Sequence, residues 1–231
     1  MIRGIVFDFD GTLVDSNDIK VQTFYEVTKP HDPSGSTVRK TLKQFPNKDR
    51  YGLFREIIRE LCNKGMFMLS QDLDIVATQW AEDYTVRCEK SIEKCEEVQG
   101  TSETLQWISK QHLPIFINSR TPTKTLKRLV TLRSLHSYVS DVYGAPATKT
   151  ENLRRIEFQI RAKPSEILFV GDSEDDREAS LNVDCHFVGV ILRDAPRFSE
   201  PLPERWISNL CQLQQIIEIL HKYNSLGNTT S

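Results

Sequence analysis

The sequence predicts an α/β protein, a parallel sheet covered by helices, with a wholly helical unit inserted into it. Three observations predict this. Short all-apolar runs recur along the chain and alternate with helix-like stretches, the pattern of strands buried on both faces and joined by crossover helices. Acidic, glycine-containing segments follow two of those runs directly, at the strand ends where open α/β sheets bind ligands. Between the first run and the second, residues 16–98 carry helical periodicity and no strand signal, far more chain than a crossover needs.

In chain order, Ile5-Val6-Phe7 is the first buried strand. Within the insertion, Phe54, Ile57, Ile58 and Leu61 form one helical stripe, ended by Gly65 at C′. Leu73, Val76, Ala77, Trp80 and Tyr84 form a second, with Ser70 placed to cap its start. Later strands are expected at Leu113–Asn118, Val139–Tyr143, Ile167–Val170 and Phe187–Leu192. Thr101 or Ser102 caps the helix containing Leu105 and Ile108, and Pro122 sits at N1 of the helix containing Leu126, Leu129 and Val130. The expected organisation is a discontinuous core of residues 1–15 and 100–222, a helical insertion at 16–99, and a flexible tail at 223–231.

Composition narrows the function classes. With 30 Lys and Arg against 32 Asp and Glu, the net charge of -2 supplies no positive field for a polyphosphate backbone, so nucleic acid is not an expected partner. No apolar run approaches the roughly 18 residues of a membrane span. Met1 leads straight into a strand-like segment, so the expected compartment is the cytoplasm. Five cysteines without CxxC spacing argue against a zinc site and suit packing roles. Asn228-Thr229-Thr230 has the form of a glycosylation acceptor, which carries no meaning in a cytoplasmic chain.

The chemistry-bearing residues sit at strand ends. Asp8-Phe9-Asp10-Gly11-Thr12 delivers two carboxylates to one face of an extended segment, then a turn-forming glycine and a hydroxyl. Two carboxylates so close need a cation between them, or one of them keeps its proton. Gly171-Asp172-Ser173-Glu174-Asp175-Asp176 repeats the arrangement after Ile167–Val170, and its charge density favours a hard divalent cation with oxygen ligands. Glu174 and Asp175 fit a different role, as solvated residues complementing a helix dipole. Asn118-Ser119-Arg120-Thr121-Pro122 is read as a strand-to-helix turn with a hydroxyl at its tip, suited to phosphate oxygens, and Lys149 lies in a loop after the strand around Val142.

In this order the four segments resemble the haloacid dehalogenase-like (HAD) superfamily. Asp8 to Thr12 matches its DxDGT motif, Ser119 its strand-end hydroxyl, Lys149 its basic residue, and Gly171 to Asp176 its GDxxxD motif. The likeness covers residues 1–15 and 100–192, with the insertion at the place of the family's C1-type cap. Two departures stand out: Lys149 lacks the usual following proline, and Arg120 replaces a small or amide residue.

The resemblance implies a Rossmann-like three-layer α/β/α core and a Mg²⁺-dependent phosphatase of the C1-capped, phosphoglycolate phosphatase-like branch. A small phosphorylated metabolite would be hydrolysed through an aspartyl-phosphate. Asp8 would be the nucleophile, and Asp10 the general acid and base. Mg²⁺ would be held by Asp8, the Asp10 carbonyl and Asp172, with Asp176 behind them. Ser119, Lys149 and Thr12 would bind the phosphoryl group, and Arg120, Lys48 and Arg50 are candidates for substrate recognition. The cap would close as a lid, hinged near residues 15–17 and 98–100. A phosphosugar mutase of the β-phosphoglucomutase kind shares these residues. A catalytically silent binding protein would be expected to lack one of the four motifs, and a receiver-type signalling module would lack the insertion.

Overall fold

The computed structural model describes residues 1–46, 48–192 and 197–226; the Asn228-Thr229-Thr230 triplet and Asn47, which precedes Lys48 in the sequence, lie outside them. Residues 17–94 form one compact unit, and residues 1–16 with the described residues from 95 onward form the other.

The larger unit is built on a parallel six-stranded sheet of β1 (Gly4–Phe7), β2 (Ile115–Pro122), β3 (Asp141–Ala145), β4 (Ile167–Gly171), β5 (His186–Val190) and β6 (Trp206–Ile207). The strand order β3-β2-β1-β4-β5-β6 is that of a doubly wound Rossmann-like fold, as the family resemblance implies. Ile5, Val6 and Phe7 are all fully buried, so β1 is covered on both faces. On one face Val6, Phe116, Ile167 and Phe169 pack with Leu153 and Ile156 of α7 (Lys149–Ile160) and Ala179 and Val183 of α8 (Glu174–Val183). Elsewhere α6 (Thr123–Leu132) packs along β2 and β3, while α5 (Thr101–Lys110) and α9 (Leu213–Leu226) complete the unit. Helix α9 continues through residues 223–226, which composition assigns to the tail.

The smaller unit is all helical: α1 (Asn17–Thr28), α2 (Ser36–Gln44), α3 (Arg50–Asn63) and α4 (Leu73–Ile92). Phe54, Ile57, Ile58 and Leu61 of the predicted stripe are fully buried. Aromatic rings join the helices, with the Phe24 and Tyr84 centroids 4.4 Å apart and Phe24 and Phe54 4.9 Å apart. This unit therefore has a core of its own. Gly65, one residue past the C-cap Lys64, adopts φ +66° and closes α3 with Gly65 N–H donating to the Cys62 carbonyl, as expected.

Several boundaries differ from the sequence reading. Strand β2 starts two residues late because Pro114 has no N–H for the ladder, though its carbonyl accepts from Ile5. It then runs on through Pro122, with a register irregularity after Asn118, so the expected strand-to-helix turn is extended backbone and Pro122 is the N-cap of α6 rather than N1. Asp72, not Ser70, caps α4 by accepting from the Asp74 amide. Gly100 caps α5, and Thr101 uses its hydroxyl to donate to the Leu13 carbonyl. Lys149 is the first residue of α7, not part of a loop, behind a capping box of Thr148 and Glu151.

Gly100 holds φ +87°, and a Cβ there would stand 2.6 Å from Asn209 Oδ1 and 2.7 Å from the Cys211 amide nitrogen. Left-handed strain of about 1–2 kcal/mol is thus added to a steric clash with backbone. Gly100→Ala is expected to lower the melting temperature by at least about 3–6 °C. An unchanged melting curve would contradict this account of Gly100.

Candidate active site

The site is assembled at the C-terminal edge of β1, β2 and β4. Asp8 follows β1, and its amide donates to the Val170 carbonyl of β4 at 2.8 Å. The next residues fold tightly, with Leu13 and Val14 N–H both donating to the Phe9 carbonyl, and this loop buries Asp8, Asp10 and Thr12. The Thr12 hydroxyl is fully buried without a hydrogen-bond partner.

Asp10 is held from two sides. Ser16 Oγ donates to Oδ1 at 2.7 Å, and Thr121 Oγ1 donates to Oδ2 at 3.0 Å, with Ser119 Oγ 3.4 Å from the same oxygen. Extended backbone from 119 to 121 puts both hydroxyls on one side of β2, which a turn would not do. The same register brings Asn118 to the start of α7, where its Nδ2 donates to the Lys149 carbonyl at 2.9 Å while its Oδ1 accepts from Asn152 at 3.1 Å.

Lys149 carries a buried ammonium. It lies 2.5 Å from Asp176 Oδ1, 3.2 Å from Asp8 Oδ1 and 3.8 Å from Asp175 Oδ2. Burial works against its charge, yet Asp176, Asp8 and Asp175 together hold it above the ordinary lysine range. Asp176 is fixed further by Ser173, whose Oγ donates to its Oδ2 at 2.5 Å. Gly171 makes this approach possible, because a Cβ there would fall 2.3 Å from the Asp176 carboxyl carbon.

One carboxylate oxygen each of Asp8, Asp172 and Asp176 lies within 4.8 Å of the others. The Asp8 carboxyl is raised to about 7, first by burial; Lys149 works against the rise, and Asp176 and Asp10 add to it. Asp176 is also raised, again chiefly by burial. Asp8 Oδ1 is buried and, although 3.2 Å from the ammonium, makes no well-directed hydrogen bond. An under-bonded carboxylate oxygen, a hard all-oxygen donor set and more buried negative than positive charge fit a divalent cation. Asp8 brings its under-bonded Oδ1 to that set, whereas both oxygens of Asp176 are already engaged by Lys149 and Ser173.

Three features escape the sequence reading. Asp175 is not simply a solvated dipole complement: its Oδ2 is 3.8 Å from Lys149 Nζ and 3.9 Å from Arg120 Nε. Glu174 pairs instead with Arg177 on the helix surface. Arg197, bridged to Ser173 backbone, brings Nη1 to 2.9 Å from Asp172 Oδ2, and no motif marks it. Thr121 could have been found from its i+2 spacing to Ser119 on a strand. Lys48 and Arg50 belong to the helical unit. There Lys48 pairs with Glu56 at 2.6 Å and lies over the Phe45 ring, and Arg50 donates to Thr85 Oγ1 at 2.7 Å beside the Tyr84 ring.

The family model for haloacid dehalogenase-like hydrolases matches residues 5–190. The chain belongs to that family. Pyrophosphatase PpaX of Bacillus velezensis is 23% identical over 222 residues, covering 93% of this chain and 96% of that protein. Among solved structures, a predicted phosphoglycolate phosphatase from Haemophilus somnus 129pt superposes with a TM-score of 0.76 at 19% identity, covering 94% of this chain and 98% of its own. The magnesium-bound HAD-hydrolase YfnB from Bacillus subtilis superposes with a TM-score of 0.72 at 14% identity and the same coverage. These structures share the fold. No described helix of the chain is long and apolar enough to cross a membrane.

The raised Asp8 and Asp176 carboxyls give the HAD chain a signed pH dependence. Between about pH 4 and pH 7 the folded protein retains on Asp8 a proton the unfolded chain has released, and Asp176 acts in the same direction, so stability is higher at low pH and is lost as pH rises. In EDTA, the melting temperature of Asp8→Asn relative to wild type is therefore expected to climb by a few degrees from pH 5 to pH 8. Because bound carboxylates must be ionised, millimolar Mg²⁺ should stabilise wild type more at pH 8 than at pH 5, and Asp172→Asn less than wild type. A pH-independent Asp8→Asn difference, or no Mg²⁺ effect at either pH, would contradict the charge balance described here.

Proposed function

We propose that the protein is a Mg²⁺-dependent phosphomonoesterase that hydrolyses a small phosphorylated metabolite through an aspartyl-phosphate on Asp8. The chain is an enzyme of the HAD hydrolase family, of its phosphatase kind. The observation that carries this mechanism is the convergence of a buried nucleophile candidate, a buried ammonium and a second carboxyl held by hydrogen bonds. Asp8 lies 3.2 Å from Lys149 Nζ, and Asp10 is gripped by Ser16 and Thr121.

In this reading an Asp8 oxygen attacks phosphorus, forming an acyl-phosphate P–O bond as the ester P–O bond breaks. Lys149 and Ser119 balance charge on the phosphoryl oxygens. Asp10 gives its proton to the departing alkoxide, then takes one from the water that attacks phosphorus, returning phosphate and the free Asp8 carboxylate. The hydroxyls of Ser16 and Thr121 keep that carboxyl in one orientation for both transfers. A divalent cation bound by Asp8 and Asp172 would supply the positive charge that lets an anion approach a phosphate dianion. PpaX bears the name pyrophosphatase and supports a small phosphorylated substrate here as well.

Asp8→Asn is expected to abolish Mg²⁺-dependent release of phosphate. Asp10→Asn should slow hydrolysis of an alkyl phosphate by about a hundred- to ten-thousand-fold and an aryl phosphate by much less, since a phenolate leaves without help. Equal losses for the two esters would remove Asp10 from the acid role. Isomerised sugar phosphate in place of free phosphate would make the enzyme a mutase.

A further inference from the structure

Arg197 reaches the buried carboxylates from outside the acidic motifs. Its Nη1 donates to Asp172 Oδ2 at 2.9 Å, and the Asp172 side chain is 5% exposed against 54% for Arg197. A charge-assisted bond to a nearly buried carboxylate holds it more firmly than a solvated pair would. The backbone carrying Arg197 is itself fastened to the start of α8. Arg197 bridges to Ser173, and Ser199 donates its amide and hydroxyl to Glu174 Oε2 at 3.2 and 3.3 Å. Arg177 bonds Glu174 Oε1 through Nε and Nη2, and its Nη1 donates to the Pro201 carbonyl at 2.6 Å. Phe198 is buried beside them, its ring centroid 5.9 Å from that of Phe187 in an edge contact. Glu174 and Arg177 thus form a clamp that places the guanidinium on Asp172.

We infer that Arg197 is a positioning residue for the metal site: by committing Asp172 Oδ2, it limits Asp172 to at most one oxygen for the cation and so biases the site toward Mg²⁺ and away from Ca²⁺. The inference rests on the divalent-cation part of the function proposed above. Mg²⁺ takes about six oxygens, keeps several waters and is satisfied by one oxygen from each carboxylate. Ca²⁺ takes about six to eight, and gains from a carboxylate that binds through both oxygens. Lys149 and Ser173 already engage both oxygens of Asp176, so the number that Asp172 presents weighs directly on the coordination these residues can offer. The positive charge of Arg197 repels the two dications alike. Their affinity ratio therefore separates the committed oxygen from the charge.

The test is a thermal-melting titration of the EDTA-treated, dialysed protein with Mg²⁺ and with Ca²⁺, at pH 8 and constant ionic strength. Each series yields an apparent dissociation constant, and no turnover is involved. Arg197→Met and Arg197→Ala remove the donor, so each should shift the ratio of the two constants toward Ca²⁺ by at least about fivefold relative to wild type. Loss of folding in one leaves the other to be read. Arg197→Lys can still donate to one oxygen, and its ratio should stay within about twofold of wild type. A change in both affinities with the ratio unchanged would make Arg197 a source of charge alone and overturn the inference. A shift in Arg197→Lys as large as that in Arg197→Met would do the same. If neither ion stabilises wild type, the divalent-cation reading falls together with it.

Discussion

A single buried ammonium among buried carboxylates is the constraint on which the rest of the structure depends. Lys149 faces Asp8 and Asp176 with almost no solvent to screen any of them. A charge in that position is tolerable only if its partners are held within hydrogen-bond reach. Much of the surrounding architecture does this holding. The capping box of α7 presents Lys149 at the first helical residue, Asn118 and Asn152 tie its backbone to β2, and the α8 capping box pins Asp176 through Ser173. Gly171 leaves the space that the Asp176 carboxyl fills. Removing any one of these supports loosens a charge that water cannot reach.

The sheet explains why the cluster forms where it does. Parallel strands with apolar faces place their C-terminal ends along one edge, and β1, next to the point where strand order reverses, is flanked by β2 and β4. Asp8, Ser119 and Asp172 therefore come together from segments far apart in sequence without any contact being engineered between those segments. The helical unit, inserted after β1, has its own aromatic core of Phe24, Phe54 and Tyr84.

The apolar runs and the acidic segments at their ends were legible because burial on both faces and crowded carboxylates leave strong local patterns. The α3 and α4 stripes were legible for the same reason. What sequence pattern could not supply was geometry set by distant partners. Strand β6 is two residues long and pairs with β5, too short to show periodicity. The extension of β2 to Pro122 depends on pairing with β3, and it alone turns Ser119 and Thr121 to the same carboxyl. Gly100 caps α5 in place of a nearby Thr or Ser because Thr101 is committed to the Leu13 carbonyl. Asp175 and Arg197 reveal their roles only through Arg120, Lys149 and Asp172, residues brought near by folding.

The central claim is that Asp8, kept in register by Lys149, becomes covalently phosphorylated during turnover. The most direct measurement is acid quench of the enzyme mixed with Mg²⁺ and a hydrolysable phosphate ester, followed by borohydride reduction and peptide mass spectrometry. An acyl-phosphate is reduced to an alcohol, so the account predicts homoserine at position 8 in the substrate-treated enzyme and unmodified aspartate without substrate. Steady release of phosphate with position 8 never trapped, or with another carboxylate reduced in its place, would contradict it.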